Sequence, residues 1–175
     1  MHDISLIANK LGALGAVIDA ALSDAFDNLS ASAAAALLTL HYHAPLTTTA
    51  LSRIVRLSQP ATTRLVEGLT SSGWVARSPG TGKGEINLAL TAKGRRKAER
   101  IQQQRIAALA TLLSGLSNGQ KQQLSALLDH VVEPVVTDRA SARHLCRFCD
   151  HDICDGALCL IGCAATRVEQ KGNRP

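Results

Sequence analysis

Two short amphipathic segments follow one another between residues 46 and 69, separated by Arg56, Leu57 and Ser58. In both segments apolar residues recur with a period of about 3.6, so each predicts a helix with one buried face. Ser58 is a suitable N-cap for the second helix, and Pro60 falls in its first turn, where a missing N–H is tolerated. The pattern predicts a helix-turn-helix, although an ordinary helical pair with a polar outer face has the same spacing.

Polar side chains occupy the first turns of the predicted second helix. In a helix that enters the major groove, these turns are placed to hydrogen-bond base edges or phosphates. If the segment binds DNA, we expect the contacting residues to be Ser58, Gln59, Thr62, Thr63 and Arg64.

Two predicted strands follow the helix-turn-helix, over residues 74–77 and 85–90. The second strand alternates apolar and polar residues, which is typical of a half-buried strand. The loop between the strands, residues 78–84, is rich in Gly and Pro and predicts the hairpin wing of a winged helix. We expect Arg77 and Lys83 of this wing to contact DNA as well.

The positive charge of the chain is concentrated in the same region. Residues 53–105 contain eleven Lys or Arg and three acids, a local charge of +8, within a total net charge of +5. A positive patch attracts the phosphate backbone without sequence preference, whereas isolated Lys or Arg residues are often only solvated. The charge distribution therefore favours nucleic acid as the partner.

Further helices are predicted on both sides of this region. Residues 3–26 form one amphipathic pattern, Thr91 opens a basic helix that runs to about Leu116, and Ser117 with Gln120 makes a capping box for another. We expect Pro134 to kink that last helix. The outer helices have broader apolar faces than a small winged domain covers, so they predict a homodimer with isologous packing.

These patterns together predict a mainly α protein with a small β-hairpin wing. Residues 1–28 and 92–138 would form a helical dimerisation region, residues 29–91 a winged helix-turn-helix domain, and residues 139–175 a cysteine-rich tail. The chain shows no secretory signal, and no apolar stretch approaches a membrane span on inspection. We therefore expect a cytoplasmic protein that does not contact the membrane.

With this order of elements, the chain resembles the MarR family of bacterial transcription regulators from about residue 5 to 138. The segments that carry the resemblance are residues 57–69, 73–77 and 88–94. The resemblance implies a dimer whose recognition helices enter successive major grooves of a pseudo-palindromic operator while the wings reach the minor grooves. It also implies a possible small aromatic or phenolic effector that releases the DNA.

The sequence departs from the family pattern at the wing and the turn. Family wings usually carry an Asp-x-Arg pair before the second strand, and here those positions are Gly82 and Gly84, with Lys83 between them. Lys83 would then act as a point charge in place of an oriented arginine. Arg56 stands where such turns often have Gly, so the turn should form at some conformational cost.

The last thirty residues contain all five cysteines of the chain. Without a secretory signal, such clustering favours a metal or redox site over a disulfide framework. The first four have the spacing of a zinc knuckle with Cys154 at its His position, so we expect Cys146, Cys149, Cys154 and Cys159 as zinc ligands, with Cys163 spare or a substitute. His144 and His151 are not expected to be first ligands.

Several alternatives stay open for the tail. An iron–sulfur cluster also takes four thiolates, metal-free redox cysteines would use the same residues, and the thiols could simply be unpaired. Because the cysteines follow the final dimer helix in the chain, we expect the site at the dimer end of the molecule.

Three functions follow from these features. The first is a DNA-binding regulator whose cysteines bind metal, with zinc favoured over iron–sulfur, and sense metal or redox state. The second is an ordinary regulator of the MarR type with a structural tail and a small-molecule effector. The third is an enzyme with a cysteine nucleophile, which is disfavoured because no cysteine has an evident base in a folded pocket.

Overall fold

The computed structural model describes residues 2–80, 82 and 84–172, so the predicted wing residue Lys83 lies outside the described residues. The helices are α1 (His2–Ala25), α2 (Ala31–His43), α3 (Thr48–Val55), α4 (Gln59–Ser71), α5 (Ala92–Leu112), α6 (Asn118–Val132), α7 (Arg139–Leu145) and α8 (Leu160–Gly172). The strands are β1 (Leu46–Thr47), β2 (Val75–Pro79) and β3 (Ile86–Leu90). The mainly helical fold with a small sheet confirms the predicted fold class.

Side-chain caps begin several helices, including those that the sequence predicts to start at Ser58, Thr91 and Ser117. The hydroxyls of Ser30, Ser58 and Thr91 accept hydrogen bonds from backbone N–H groups of α2, α4 and α5. Ser117 and Gln120 form the predicted capping box at the start of α6. These caps satisfy N–H groups that have no partner inside a helix, so short local signals are sufficient to place each start.

The sheet has one strand more than the sequence predicted. The order is β1-β3-β2, with β3 antiparallel to both neighbours, and Leu46 of β1 pairs with Leu88 of β3. The two-residue strand directly before α3 is too short to show a periodic pattern, which is why it was missed. It attaches the start of the helix-turn-helix to the wing.

Two other elements differ in detail from expectation. Pro134 ends α6 instead of kinking it, because the helix stops at Val132 and a 3-10 turn follows over Glu133–Val135. Arg56 adopts the left-handed conformation at the C-cap of α3, with φ at 53°. This confirms the predicted conformational cost of a non-glycine residue in the turn, on the order of 1–2 kcal/mol.

The main core lies between α2, α3, α4, α5 and the sheet. Its centre is formed by leucines of α2 together with Leu51, Val66, Leu88 and Ile101, all nearly inaccessible to solvent. Helices α1 and α6 each contribute little to this core, and none of the described side chains of α6 is buried within the chain. Both helices instead leave apolar side chains exposed.

Among the described residues, one helix is long and apolar enough to cross a membrane by length and composition, namely Asp3–Ala25 within α1. This corrects the sequence-based statement that no stretch approaches a span. The finding is weak support for a membrane role, because interface and core helices of non-membrane proteins have the same composition.

The cysteine-rich tail forms a small helical unit that packs on the winged helix. Helices α7 and α8 enclose Val136, Ala142, Ala164 and Ala165, and the Arg139–Glu169 ion pair joins them. Helix α7 lies against α3, and the 3-10 turn Cys146–Phe148 lies against α2. The expectation that this site sits at the dimer end is therefore wrong, because the chain folds back after α6.

Candidate functional site

The start of α4 presents polar side chains on an exposed surface. Ser58 caps the helix by accepting a hydrogen bond from the N–H of Ala61, and Pro60 lies in the first turn. Gln59, Thr63 and Arg64 are exposed, as predicted for a helix that reads DNA. Their hydrogen-bonding groups can therefore reach a partner that approaches this end of the helix.

Thr62 does not belong to this surface, which corrects the predicted contact set. Its side chain is fully buried, and its hydroxyl donates to the carbonyl oxygen of Ser58 at 3.0 Å. Thr62 precedes Val66 by four positions and Leu69 by seven, so it lies on the buried face of α4. The same spacing in the sequence would have identified it as a core residue.

The exposed residues Gln59 and Thr63 are held by local hydrogen bonds. The amide Nε2 of Gln59 donates to Ser52 Oγ of α3 at 3.1 Å, and the Thr63 hydroxyl donates to the Gln59 carbonyl at 3.0 Å. Gln59 therefore links the two helices of the helix-turn-helix. Both side chains keep further hydrogen-bonding capacity for a ligand.

Exposed arginines lie on the elements that flank α4 in the chain. Arg53 and Arg56 lie at the end of α3, and Arg77 lies on the exposed side of β2. Arg105, by contrast, is half-buried and interacts electrostatically with Cys149 and Asp150 of the tail and with Tyr42 of α2, so it is not part of this basic surface. Most of the predicted positive region is thus available to a polyanion. Arg105, the last basic residue of that region, instead interacts with the tail.

The wing tip is closed by Glu85. Its carboxylate accepts a hydrogen bond from the N–H of Gly82 at 2.9 Å, while the Gly80 N–H donates to the Glu85 carbonyl at 2.7 Å. Gly84 has φ at 75°, a conformation that glycine adopts without strain. Gly80 and Gly82 are therefore each hydrogen-bonded to Glu85, in the part of the wing where the family pattern has an Asp and an Arg.

Four of the five cysteines lie close together and form two pairs. The thiols of Cys146 and Cys149 interact with each other, as do those of Cys154 and Cys159, and the pairs influence each other electrostatically. Within residues 2–80, 82 and 84–172, no three His, Cys, Asp or Glu side chains are arranged as a set that could hold a metal ion. Cys163 lies outside both pairs and donates to the Gly156 carbonyl at 3.6 Å.

The surroundings of Cys149 favour its thiolate. The hydrogen bond from Cys146 lowers the pKa of Cys149 to about 7, with burial opposing this shift and Arg105 and Arg147 assisting it. The same hydrogen bond, together with burial, raises the pKa of Cys146 well above its usual range. Burial, with the neighbouring thiols, raises the pKa of Cys154 to about 11. A cation between the pairs would stabilise the deprotonated form of all four thiols.

A cavity of about 540 Å³ lies between the tail and the winged helix. Cys146 and Cys159, one from each thiol pair, line it together with His43, His151 and Ile54. The N–H of Gly162 donates to the sulfur of Cys159 at 3.2 Å, a contact that stabilises a thiolate. The cavity therefore gives access to both pairs from one side.

The tail touches the winged helix through several side-chain contacts. The Tyr42 hydroxyl donates to Asp150 at 3.0 Å, the rings of Phe26 and Phe148 stack with centroids 5.3 Å apart, and His144 Nδ1 lies 2.8 Å from the Ile54 carbonyl oxygen. The sequence contained no signal for these contacts, because each joins residues far apart in the chain.

The fold and this surface define a winged helix-turn-helix protein. Residues 29–82 match the family model described as "MarR family". A MarR family protein of Bacillus stearothermophilus is 22% identical over 76% of this chain and 95% of its own, with a TM-score of 0.68. The YusO protein of Bacillus subtilis is 22% identical over 75% of this chain and 96% of its own, with a TM-score of 0.67.

A third solved structure, the MarR family protein Rv2887 of Mycobacterium tuberculosis in complex with DNA, is 26% identical over 71% of this chain and 96% of its own, with a TM-score of 0.59. No curated protein matches the chain. Residues 29–82 are thus similar to the MarR family, and the chain shares the winged-helix fold of these solved structures. The match to the MarR family gives no support to the cysteine-nucleophile alternative.

Proposed function

We propose that this regulator binds a pseudo-palindromic DNA operator as a cytoplasmic homodimer, and that its C-terminal cysteines bind one metal ion per subunit, with zinc favoured. The observation that carries DNA binding is the capped start of α4, where Gln59, Thr63 and Arg64 are exposed. The Rv2887 protein, which has the same fold, has been solved with DNA. That likeness supports the proposal that this chain binds DNA.

The exposed side chains suggest distinct roles at the DNA. Arg64 is suited to a bidentate contact with a guanine, and Gln59 to an adenine. Arg53, Arg56 and Arg77 are suited to phosphates, which position the protein without reading sequence. Lys83 is proposed as an additional charge at the wing, on the sequence pattern alone.

The proposed dimer follows from apolar side chains that the single chain leaves exposed. On α6, Leu127, Leu128 and Val131 are 62%, 46% and 56% exposed, and α1 exposes Ile4, Leu6, Ile7, Leu11, Leu14 and Val17. A second copy of the chain covers such faces in an isologous interface and brings two recognition helices to two half-sites. We therefore assign dimerisation to residues 1–28 and 92–138.

The proposed metal site uses the two thiol pairs as half-sites. Cys146 with Cys149 and Cys154 with Cys159 each supply two sulfur ligands, and tetrahedral zinc requires four. The pairs must move towards each other to reach bonding distance, since they do not form a ligand set as they stand. An iron–sulfur cluster is the alternative occupant, and sensing of metal or redox state would follow from gain or loss of either.

Replacement of Arg64 tests the DNA-binding proposal. Arg64→Ala should weaken binding to a duplex selected from a random pool by about 1–3 kcal/mol, with a much smaller loss on random DNA. Lys121→Ala removes an equal charge from α6 and should change neither affinity. An equal loss on selected and random DNA in the Arg64 variant would assign it to phosphate contact only.

Replacement of single cysteines tests the metal proposal. Cys149→Ser should lose the metal that anaerobically purified wild type retains, whereas Cys163→Ser should keep it, since Cys163 lies outside both pairs. Mass spectrometry measures the metal content of both variants. Visible absorbance bands in the wild type would identify the bound group as an iron–sulfur cluster and not zinc. Full metal content in Cys149→Ser would show the ligand set to be wrong. Unchanged DNA binding after metal removal would make the site structural and favour the ordinary effector-controlled regulator.

A further inference from the structure

We propose that a cavity between α2, α5 and the tail binds a small organic cation, namely a protonated amine on an apolar or aromatic body. The cavity has a volume of about 400 Å³, a size typical of small-molecule sites. The end of α2 lines it on one side and the middle of α5 on another, and Asp150, Asp152 and Ile153 of the tail complete it. This binding requires neither the DNA nor the metal proposed above.

One side chain that lines the cavity is both polar and buried. Gln102 is only 5% exposed, and neither its amide nitrogen nor its amide oxygen has a hydrogen-bond partner among the described residues. A buried amide without partners destabilises the free protein, because it has lost its hydrogen bonds to water. The terminal torsion of Gln is broad, so the amide can turn into the cavity at little cost. A ligand that donates a hydrogen bond therefore gives Gln102 a partner that the protein does not supply.

His41 adds a second unpaired group at the same cavity. Its Nδ1 is buried and has no partner within the part of the chain that the structure describes. Nδ1 accepts a hydrogen bond in the neutral tautomer that carries its hydrogen on Nε2. The end of α2 and the middle of α5 thus each present an acceptor to a ligand between them.

The charges at the cavity favour a cation. Glu99, Asp150 and Asp152 line it, and none of the described lining residues is Lys or Arg. Asp150 is already engaged, because it accepts hydrogen bonds from the Tyr42 hydroxyl and from the N–H of Asp152, both at 3.0 Å, and interacts with the charge of Arg105. Glu99 and Asp152 remain as exposed carboxylates. They attract an ammonium group and repel the carboxylate of an organic acid.

Apolar side chains at the same cavity require that the cation be carried on an apolar body. Ile106 of α5 and Ile153 of the tail line the cavity and are 38% and 64% exposed. A hydrated inorganic ion would leave both uncovered, and the described residues contain no set that could hold a metal ion. An aryl or alkyl amine instead covers the apolar side chains while its ammonium group meets the acceptors and carboxylates.

Calorimetric titration of the full-length protein, without DNA or added metal, tests the class of ligand. Phenethylamine and tryptamine are the cationic probes, and phenethyl alcohol and phenylpropionate are the neutral and anionic analogues. We expect the amines to bind about tenfold more tightly than either analogue. Equal or tighter binding of phenylpropionate, or no binding of either amine at millimolar concentration, would overturn the proposal.

Substitutions at the cavity test its location. Gln102→Leu should weaken amine binding about tenfold, because the ligand loses its hydrogen bond to the amide. The same variant should unfold at a higher urea concentration than wild type, since an apolar group of similar size replaces an unpaired buried amide. Asp152→Asn should weaken amine binding about threefold, whereas Asp129→Asn, at an exposed position of α6 that does not line the cavity, should leave it unchanged.

Two results with these variants would contradict the site. Unchanged amine binding in both Gln102→Leu and Asp152→Asn would place the amine elsewhere on the protein. A lower urea midpoint for Gln102→Leu would show that the amide is already paired in the free protein and needs no ligand. Because these titrations contain no DNA, a failure of the DNA-binding proposal leaves their outcome unaffected.

Discussion

Gly94 lies so close to Trp74 that a Cβ at position 94 would stand 1.9 Å from the Trp74 carbonyl oxygen. The contact joins the first turn of α5 to the residue before β2. Thr91 completes it, because its hydroxyl accepts from the Gly94 N–H at 3.0 Å and donates to the Gly73 carbonyl at 2.7 Å. The wing and the long helix α5 are therefore fixed to each other at one point of backbone contact.

Replacement of Gly94 should accordingly destabilise the fold. Gly94→Ala forces the α5 backbone away from Trp74, and overpacking of this kind lowers the free energy of unfolding by about 1–3 kcal/mol. Gly68→Ala is the matched control, because a Cβ there meets nothing within 4 Å in helix α4, and it should raise stability by about 0.5–1 kcal/mol. Urea unfolding of both variants measures the difference, and equal stabilities would contradict the close approach.

Thr62 and Thr63 should separate stability from DNA binding. Thr62→Ala removes a buried methyl group and the hydroxyl that donates to Ser58, so we expect a loss of about 1–2 kcal/mol in unfolding free energy. Thr63→Ala changes an exposed residue and should leave stability nearly unchanged while weakening DNA binding. Thermal unfolding and DNA titration of the two variants check this assignment. A stable Thr62→Ala protein with a specific DNA defect would restore Thr62 to the contact surface.

Charged residues on α6 should prevent the proposed dimer. The double substitution Leu128→Glu and Val131→Glu would place two unpaired carboxylates in the interface. Desolvation of each charge costs several kcal/mol, so the dissociation constant of the dimer should rise by about 100-fold or more. Sedimentation should show monomers at micromolar concentration, with DNA affinity reduced. Leu158→Glu, at a 79% exposed position in the tail, should stay dimeric. A monomeric wild type that still binds a two-half-site operator would refute the interface.

The ion pair between Asp27 and Lys97 should make stability depend on acid pH. Lys97 hydrogen-bonds to the Asp27 carboxylate at 2.5 Å, and this contact and the charge of Lys97 lower the pKa of Asp27. A depressed carboxyl pKa gives stability that is present above the unfolded pKa of about 4 and is lost as pH falls through the folded pKa. The advantage of wild type over Asp27→Asn should therefore shrink as the pH falls below about 4 and vanish only below the lowered pKa of the folded state. Asp19→Asn, on the exposed surface of α1, is the control, and unfolding curves from pH 2 to 7 measure both.

The sequence by itself determined those structural elements that depend on residues close together in the chain. Ser58, Thr91 and Ser117 cap the helices at the predicted places, because a cap depends on residues three or four positions apart. The apolar period predicted the buried faces, and the pattern of helix-turn-helix, wing and long helices was sufficient to predict the family. The five cysteines and their spacing were equally evident, although the spacing alone does not identify an occupant.

Only the tertiary structure decided where these elements meet. The contact between His144 and Ile54 spans 90 positions of the chain, and no periodic or capping signal relates two residues at that separation. The direction in which the chain turns after Val135 depends on the surfaces that α7 packs against, which are α3 and α8. Packing of distant surfaces therefore placed the cysteines beside the helix-turn-helix, whereas chain order had suggested the dimer end.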